Sequence, residues 1–244
     1  MTAIISCRGV SRTYGSGLDA VVALHGVTCA VGEGDKIAVT GSSGSGKTTL
    51  LHLLAGLDEP TAGEIHRHDG PTREDLPRHD GPTGGGVARR DRSTGKDAHR
   101  HDLPVGIVFQ GPSLLSPLDV TENVALPLLI AGFDEGSARK RAHEALRQVG
   151  LADLGQRLPE ELSGGQAQRV AVARVLAAAP RLIIADEPTG QLDSAHADDV
   201  ISLLIGVADE LGAGLVIATH DPAIAKRFPL RWEMSDGALG RRTC

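Results

Sequence analysis

The sequence predicts an α/β fold with a mostly parallel sheet at its core and an antiparallel β portion at its N-terminal end. Three observations carry that expectation. Short apolar runs, each ending at a polar or glycine residue, alternate with segments of helical periodicity. Aromatic residues make up only 2% of a chain that is 41% hydrophobic, so Val, Leu, Ile and Ala must build the interior, as in a parallel sheet covered on both faces. A length of 244 residues suits one domain with a substantial core, and residues 1–244 are read as a single domain.

Taken in order, the first 35 residues show short alternating segments and glycine turns, the pattern of antiparallel strands. "KIAVTG" (36–41) is the first buried strand, followed by a helix over 47–56. "VGIVFQ" (105–110), "RLIIAD" (181–186) and "GLVIATH" (214–220) are further strands, and 137–150, 165–179 and 195–211 are helices. Strands of an open α/β sheet present functional residues at their carboxyl ends.

Residues 66–102 break this order. They contain almost no large apolar side chains, several Gly and Pro, and dense mixed charge, so they cannot bury enough surface to offset their ordering entropy and read as a mobile loop. The hexamer "RHDGPT" occurs at 67–72 and again at 78–83, a local duplication rather than a solenoid repeat. Five of the ten histidines fall here: His66, His68, His79, His99 and His101. With no helical pairing and no cysteine partner to preorganise ligands, a solvated loop is preferred over a metal site.

"GSSGSGKT" (41–48) fits G-x-x-x-x-G-K-[ST] and lies between a strand and an apolar helix, the context that gives this motif its meaning in P-loop nucleoside triphosphatases. Gly41, Gly44 and Gly46, with Ser42, Ser43 and Ser45, let the backbone turn its N–H groups inward at the positive end of a helix dipole, where Thr48 and Thr49 also stand. Lys47 should reach the β- and γ-phosphates, and the Thr48 hydroxyl should ligate Mg²⁺. Farther on, "RLIIADE" is an apolar strand ending in two carboxylates. Asp186 suits Mg²⁺, usually through water, and Glu187 suits orienting or deprotonating an attacking water. Read alone, such an acidic pair is more often a helix cap or a solvated turn.

The motifs that follow resemble those of the ATP-binding subunits of ABC transporters. "LSGGQ" (162–166), then "AQRVAVARVLAAAPRLIIADEPTGQLDS" running on through the acidic strand, matches that family, and matching motifs occur in the family's order from Tyr14 to His220. The resemblance implies a P-loop fold with a helical signature subdomain at about 112–178. It implies ATP and Mg²⁺ as ligands, and two nucleotide-binding domains that pair head to tail as a homodimer. Ser163, Gly164, Gly165 and Gln166 would then complete the ATP site of the opposite subunit, and Asp193 would cross to that subunit as well. Physically, a serine cap and the N–H groups of a helix start offer a second positive dipole end to the γ-phosphate; in isolation, Ser163 reads equally well as an ordinary cap. Tyr14 resembles the aromatic that stacks on adenine, where a lone ring would otherwise be packing. Gln110 resembles the glutamine that touches Mg²⁺ and the attacking water, and His220 resembles the histidine that contacts the γ-phosphate and holds the water of Glu187. Glu187 and His220 are thus the expected catalytic pair.

Within the family, "ENVALPLLIAG" (122–132) and "DEPTGQLDS" (186–194) resemble subunits serving macrolide-export, lipoprotein-release and FtsE-type permeases, with Gln191 standing where asparagine is usual. Residues 115–127 would dock on an integral membrane permease subunit. Residues 66–102 depart from the family pattern, in which this region is shorter. A non-transport ATPase acting on DNA or ribosomes would usually carry two ATP domains or a long coiled-coil insertion, and a non-hydrolysing regulatory subunit has no need of Glu187 and His220. A net charge of −6 also argues against a nucleic-acid partner. Cys7, Cys29 and Cys244 suggest neither a disulfide framework nor a zinc site, and no apolar run approaches a membrane span. The expected location is cytoplasmic, peripheral on the inner face of the cell membrane through the permease.

Overall fold

In the computed structural model, which describes residues 3–68 and 105–243, the N-terminal alternation becomes a three-stranded antiparallel sheet. β1 (Ala3–Tyr14) lies between β2 (Val21–Gly32) and β4 (Ala62–Arg67), with Cys7 opposite Cys29 and Tyr14 opposite Val21. This corrects the reading of 66–102 as a loop at its first residues. His66 and Arg67 pair with Ser6 and Ile5, and the His68 N–H donates to the Ile4 carbonyl at 2.8 Å. Composition missed this because an edge strand tolerates charged side chains when its neighbour's backbone supplies the hydrogen bonds. The remainder of that reading, including His79, His99 and His101, lies outside the described residues.

The second sheet has six strands in the order β5 (Val105–Val108), β6 (Leu182–Asp186), β7 (Gly214–Ala218), β3 (Lys36–Thr40), β8 (Leu230–Ser235), β9 (Ala238–Thr243). All pairings are parallel except the β8–β9 hairpin. Alternation along each strand splits its apolar residues between two layers. Ala38, Ile183, Ala185, Leu215 and Ile217 face a core shared with α2 (Val120–Ile130), α3 (Glu135–Gln148), α4 (Gly164–Ala178) and α5 (Ser194–Leu211). Ile37, Val39, Leu182, Ile184, Val216 and Ala218 face α1 (Lys47–Ala55) and the antiparallel sheet. Burial on both faces is why these runs are continuously apolar.

Leu50, Leu51, Leu53 and Leu54 of α1 are all fully buried, each contributing about 1.5–3 kcal/mol. That anchors the helix whose first turn follows the phosphate loop. Expected helices and strands differ from the observed ones by one or two residues at their ends. Four segments carried no legible signal: β4, α2, the short α6 (Pro222–Ala225) and the β8–β9 hairpin. α2 is apolar nearly all round and contains Pro127, so it shows neither periodicity nor an uninterrupted helical run.

Candidate active site

Register across the parallel strands assembles the site. Val108 pairs with Ala185, Ala185 with Ile217, and Ile217 with Ala38. Two residues farther along, this row reaches Gln110, Glu187, Thr219 and Thr40, so residues from four separate segments of the chain leave the sheet side by side at its carboxyl edge.

From Thr40 the chain enters the loop Gly41–Gly46. Gly41, Gly44 and Gly46 have φ of 148°, 77° and 98°, and Gly46 is the N-cap of α1. The loop is wedged between two other segments: a Cβ on Gly41 would stand 2.3 Å from the Met234 carbonyl oxygen, and one on Gly46 2.6 Å from that of Ala23. Glycine is thus required there for space as well as for backbone angle. Lys47 is only 6% exposed and donates to the carbonyls of Gly41 (2.9 Å) and Ser42 (3.0 Å). The Gly237 N–H donates to the Ser45 carbonyl at 3.1 Å, so the β8–β9 turn also supports the loop. Ser42, Ser43 and Thr48 are exposed, Thr49 is half-buried, and the buried Ser45 hydroxyl has no hydrogen-bond partner among the described residues.

Asp186 closes β6, and its Oδ1 is buried without a hydrogen-bond partner among the described residues. Glu187 turns sharply away with φ of 45°, a left-handed conformation costly for a residue with a Cβ. Its N–H donates to the Ala218 carbonyl (3.1 Å) and its carbonyl accepts from Gly190 (3.0 Å). The turn aims its carboxylate at His220, with Nδ1 3.4 Å from Oε2. His220 stands between two clefts. One, of about 640 Å³, is lined by Gly41, Ser42, Lys226 and Arg231; the other, of about 260 Å³, by Glu187, Gly190 and Leu192.

Gln110 lies against the turn after Glu187, since a Cβ on Gly190 would stand 2.8 Å from its Nε2. Two residues that sequence reasoning did not single out hold its loop. The buried Gln168 donates to the Phe109 carbonyl (3.1 Å), and Arg174 donates to those of Ser113 (3.0 Å) and Pro112 (3.3 Å). Burial pulls the Arg174 guanidinium below its ordinary pKa. Their available signal was polarity within the otherwise apolar run "VAVARVLAAA" and the turn preceding it. Tyr14, at the end of β1, is 40% exposed, with its hydroxyl bonded to Asp58 and its ring beneath Arg12.

The expected trans residues form a separate group. Ser163 caps α4 in a reciprocal box: its Oγ accepts from the Gln166 N–H (3.2 Å), and Gln166 Oε1 accepts from the Ser163 N–H (2.9 Å). The N–H groups of Gly164 and Gly165 stay outside the box. Leu192 packs on Gly164, and His196 crowds Gly165, with Cδ2 3.1 Å from a Cβ built there. Asp193 caps α5 by accepting from the His196 N–H (3.0 Å), and its carboxylate also meets His196 Nδ1 at 2.7 Å. Among the described residues, no hydrogen bond joins 163–166 to 41–49.

An edge that gathers a glycine loop capping a helix, a buried lysine, a strand-end carboxylate and a glutamate–histidine pair is built to bind and cut a nucleoside triphosphate, and the protein is a P-loop nucleotide hydrolase. The ABC transporter family model matches residues 24–190, more than half of the chain. The chain belongs to that family and is the ATP-binding, ATP-hydrolysing subunit of an ABC transporter. It is 40% identical over 236 residues to the lipoprotein-releasing system ATP-binding protein LolD of Chromohalobacter salexigens, covering 97% of this chain and 92% of the relative. Among solved structures it resembles the dimeric, post-hydrolysis ATP-binding cassette MJ0796 bound to ADP and Pi, at a TM-score of 0.77 and 33% identity over 98% of this chain and 97% of that one. CbiO1 of Clostridium perfringens, part of the ABC transporter complex cbiONQ, gives a TM-score of 0.76 at 28% identity over 99% and 88%.

Proposed function

We propose that two copies of this chain clasp two Mg-ATP molecules head to tail and drive a separate integral membrane permease. The observation that carries this reading is the separation of two half-sites on one chain: Gly41–Thr49, Asp186, Glu187, Gln110 and His220 meet at the sheet edge, whereas Ser163, Gly164, Gly165 and Asp193 gather at the starts of α4 and α5. Each group ends in a helix N-terminus suited to a phosphate. Opposing the two groups from different copies would complete each site, and the dimeric state of MJ0796 bound to ADP and Pi supports a paired form.

In that arrangement the loop N–H groups and Lys47 hold the β- and γ-phosphates, and Tyr14 stacks on the base. Glu187 Oε2 takes a proton from the attacking water, whose oxygen bonds to the γ-phosphorus as the bond to the β–γ bridging oxygen breaks, leaving ADP and phosphate. His220, 3.4 Å from that carboxylate, fixes the water and the γ-phosphate from the other side. Asp186, Thr48 and Gln110 form an oxygen donor set that fits Mg²⁺, and the unpartnered Asp186 Oδ1 agrees with it. Bound there, Mg²⁺ would neutralise charge developing on the phosphates. Cleavage parts the γ-phosphate from one of its two cradles, which loosens the dimer.

Residues 112–178 serve as the helical subdomain, and 115–127 as the surface docked on the permease. No helix among the described residues is long and apolar enough to cross a membrane, and attachment to the inner membrane face runs through that partner. The test is Glu187→Gln. ATPase activity should fall at least about a hundredfold while ATP-dependent dimerisation persists, as read by light scattering on a sizing column. A variant that remains monomeric with ATP bound would refute the proposal.

A further inference from the structure

Tyr14 is held by two side chains with no role in the reading so far. The Arg12 guanidinium lies over its ring, 4.6 Å from the centroid, and the Tyr14 hydroxyl donates to Asp58 Oδ2 at 2.8 Å. Arg12 Nη2 meets the other oxygen, Oδ1, at 2.7 Å, and the Glu59 N–H donates to that same oxygen at 2.8 Å. The three side chains thus close a ring of contacts in which each touches the other two. Arg12 and Tyr14 share a strand face because they are two residues apart on β1. Asp58 comes from the segment that follows α1, the helix whose first turn belongs to the phosphate loop.

That segment is fixed to β1 by backbone as well. The Thr61 N–H donates to the Ser11 carbonyl (2.8 Å) and the Thr13 N–H to Thr61 Oγ1 (2.9 Å). Together with these bonds, Asp58 ties the Tyr14 ring to the segment that leads back through α1 to the phosphate loop. Partial burial pushes the Asp58 carboxyl up, but the Tyr14 hydroxyl, the Glu59 N–H and Arg12 together hold it below its ordinary value. The Asp58 carboxylate is thus charged at neutral pH, and the contacts it accepts are lost only as the pH falls into the acid range.

We infer that Arg12 and Asp58 are positioning residues that lock the Tyr14 ring, one face against the guanidinium, as a platform for the purine at a fixed reach from the phosphate loop. This rests on the base-stacking reading of Tyr14. A free tyrosine loses rotamer freedom when a base stacks on it; a clamped one has already lost it, which is worth about two- to tenfold in affinity. The clamp acts on the base alone, so it should leave recognition of the phosphate chain untouched.

Tripolyphosphate, which has the phosphates and no base, separates these effects. In the full-length protein, Asp58→Ala and Tyr14→Phe should each raise the calorimetric Kd for Mg-ATP about two- to tenfold, and Asp58→Ala should do so with kcat unchanged. The double variant should be no weaker than the weaker single one, because both changes remove the same contact. The Kd for Mg-tripolyphosphate should match that of the parent throughout, and Tyr14→Ala should weaken ATP at least as much as Asp58→Ala. If ATP affinity falls in Tyr14→Ala but not in Asp58→Ala, or if tripolyphosphate weakens in step with ATP, the clamp is refuted and the stacking reading survives. Parental ATP affinity in Tyr14→Ala would overturn the stacking reading, and the clamp with it.

Discussion

At 6% exposure, Lys47 keeps an ammonium group inside the protein by donating to two carbonyls of its own loop, those of Gly41 and Ser42. A charge buried without such partners would cost several kcal/mol or shed its proton. An ammonium has three hydrogens, and these two bonds leave one for a phosphate oxygen. Lys47→Ala removes a charge-assisted hydrogen bond worth about 1.5–3 kcal/mol, so the Kd for ATP should rise roughly 10- to 100-fold. Titration calorimetry decides this, and an unchanged Kd would contradict the role. The lysine was legible in the sequence because its spacing from the glycines is set by the loop alone. The left-handed turn at Glu187 was not legible, since only the hydrogen bonds to Ala218 and Gly190 hold it against its steric cost.

Among the elements, α2 depends most on one polar side chain. Asp119 and Glu122 form a capping box at its start, and Asn123 is fully buried one residue later. The Asn123 amide donates to the carbonyls of Leu115 (3.1 Å), Leu118 (2.9 Å) and Asp119 (3.0 Å), and its oxygen accepts from the Leu115 N–H at 2.7 Å. It therefore fixes the turn over 115–118, part of the surface proposed to meet the permease. Asn123→Ala takes the partner from the Leu115 N–H and the Leu118 carbonyl, whereas the Leu115 and Asp119 carbonyls keep the N–H groups of Leu118 and Asn123, and it should cost about 2–4 kcal/mol, a fall in Tm of several degrees. A Tm within about 1 °C of the parent would show that the turn holds itself. The helix itself was not legible in the sequence, because the uniform apolarity after Asn123 hides its periodicity and Pro127 interrupts the run.

For the whole molecule, the consequence of two half-sites on one chain is complementation. A Lys47→Ala chain lacks a working cradle and a Ser163→Arg chain lacks a working signature turn, so each should be inactive as a homodimer. Random pairing makes about half of the dimers mixed, and each mixed dimer holds one intact site of two, so a 1:1 mixture should recover about a quarter of parental ATPase activity. No recovery above the separate variants would argue against sites shared between copies. By itself the sequence determined the parallel core, the phosphate loop, the acidic strand end, the signature turn and the family they resemble. Those features are local: strand burial, loop spacing and helix caps depend on neighbours a few residues away. Only the tertiary structure decided that Glu187 takes a left-handed turn to meet His220 at 3.4 Å, that Met234 and Ala23 close on the loop glycines, and that Arg12 and Asp58 grip Tyr14. Those contacts join segments far apart in the chain, where strand order and register choose the partners and no pattern in the sequence encodes the choice.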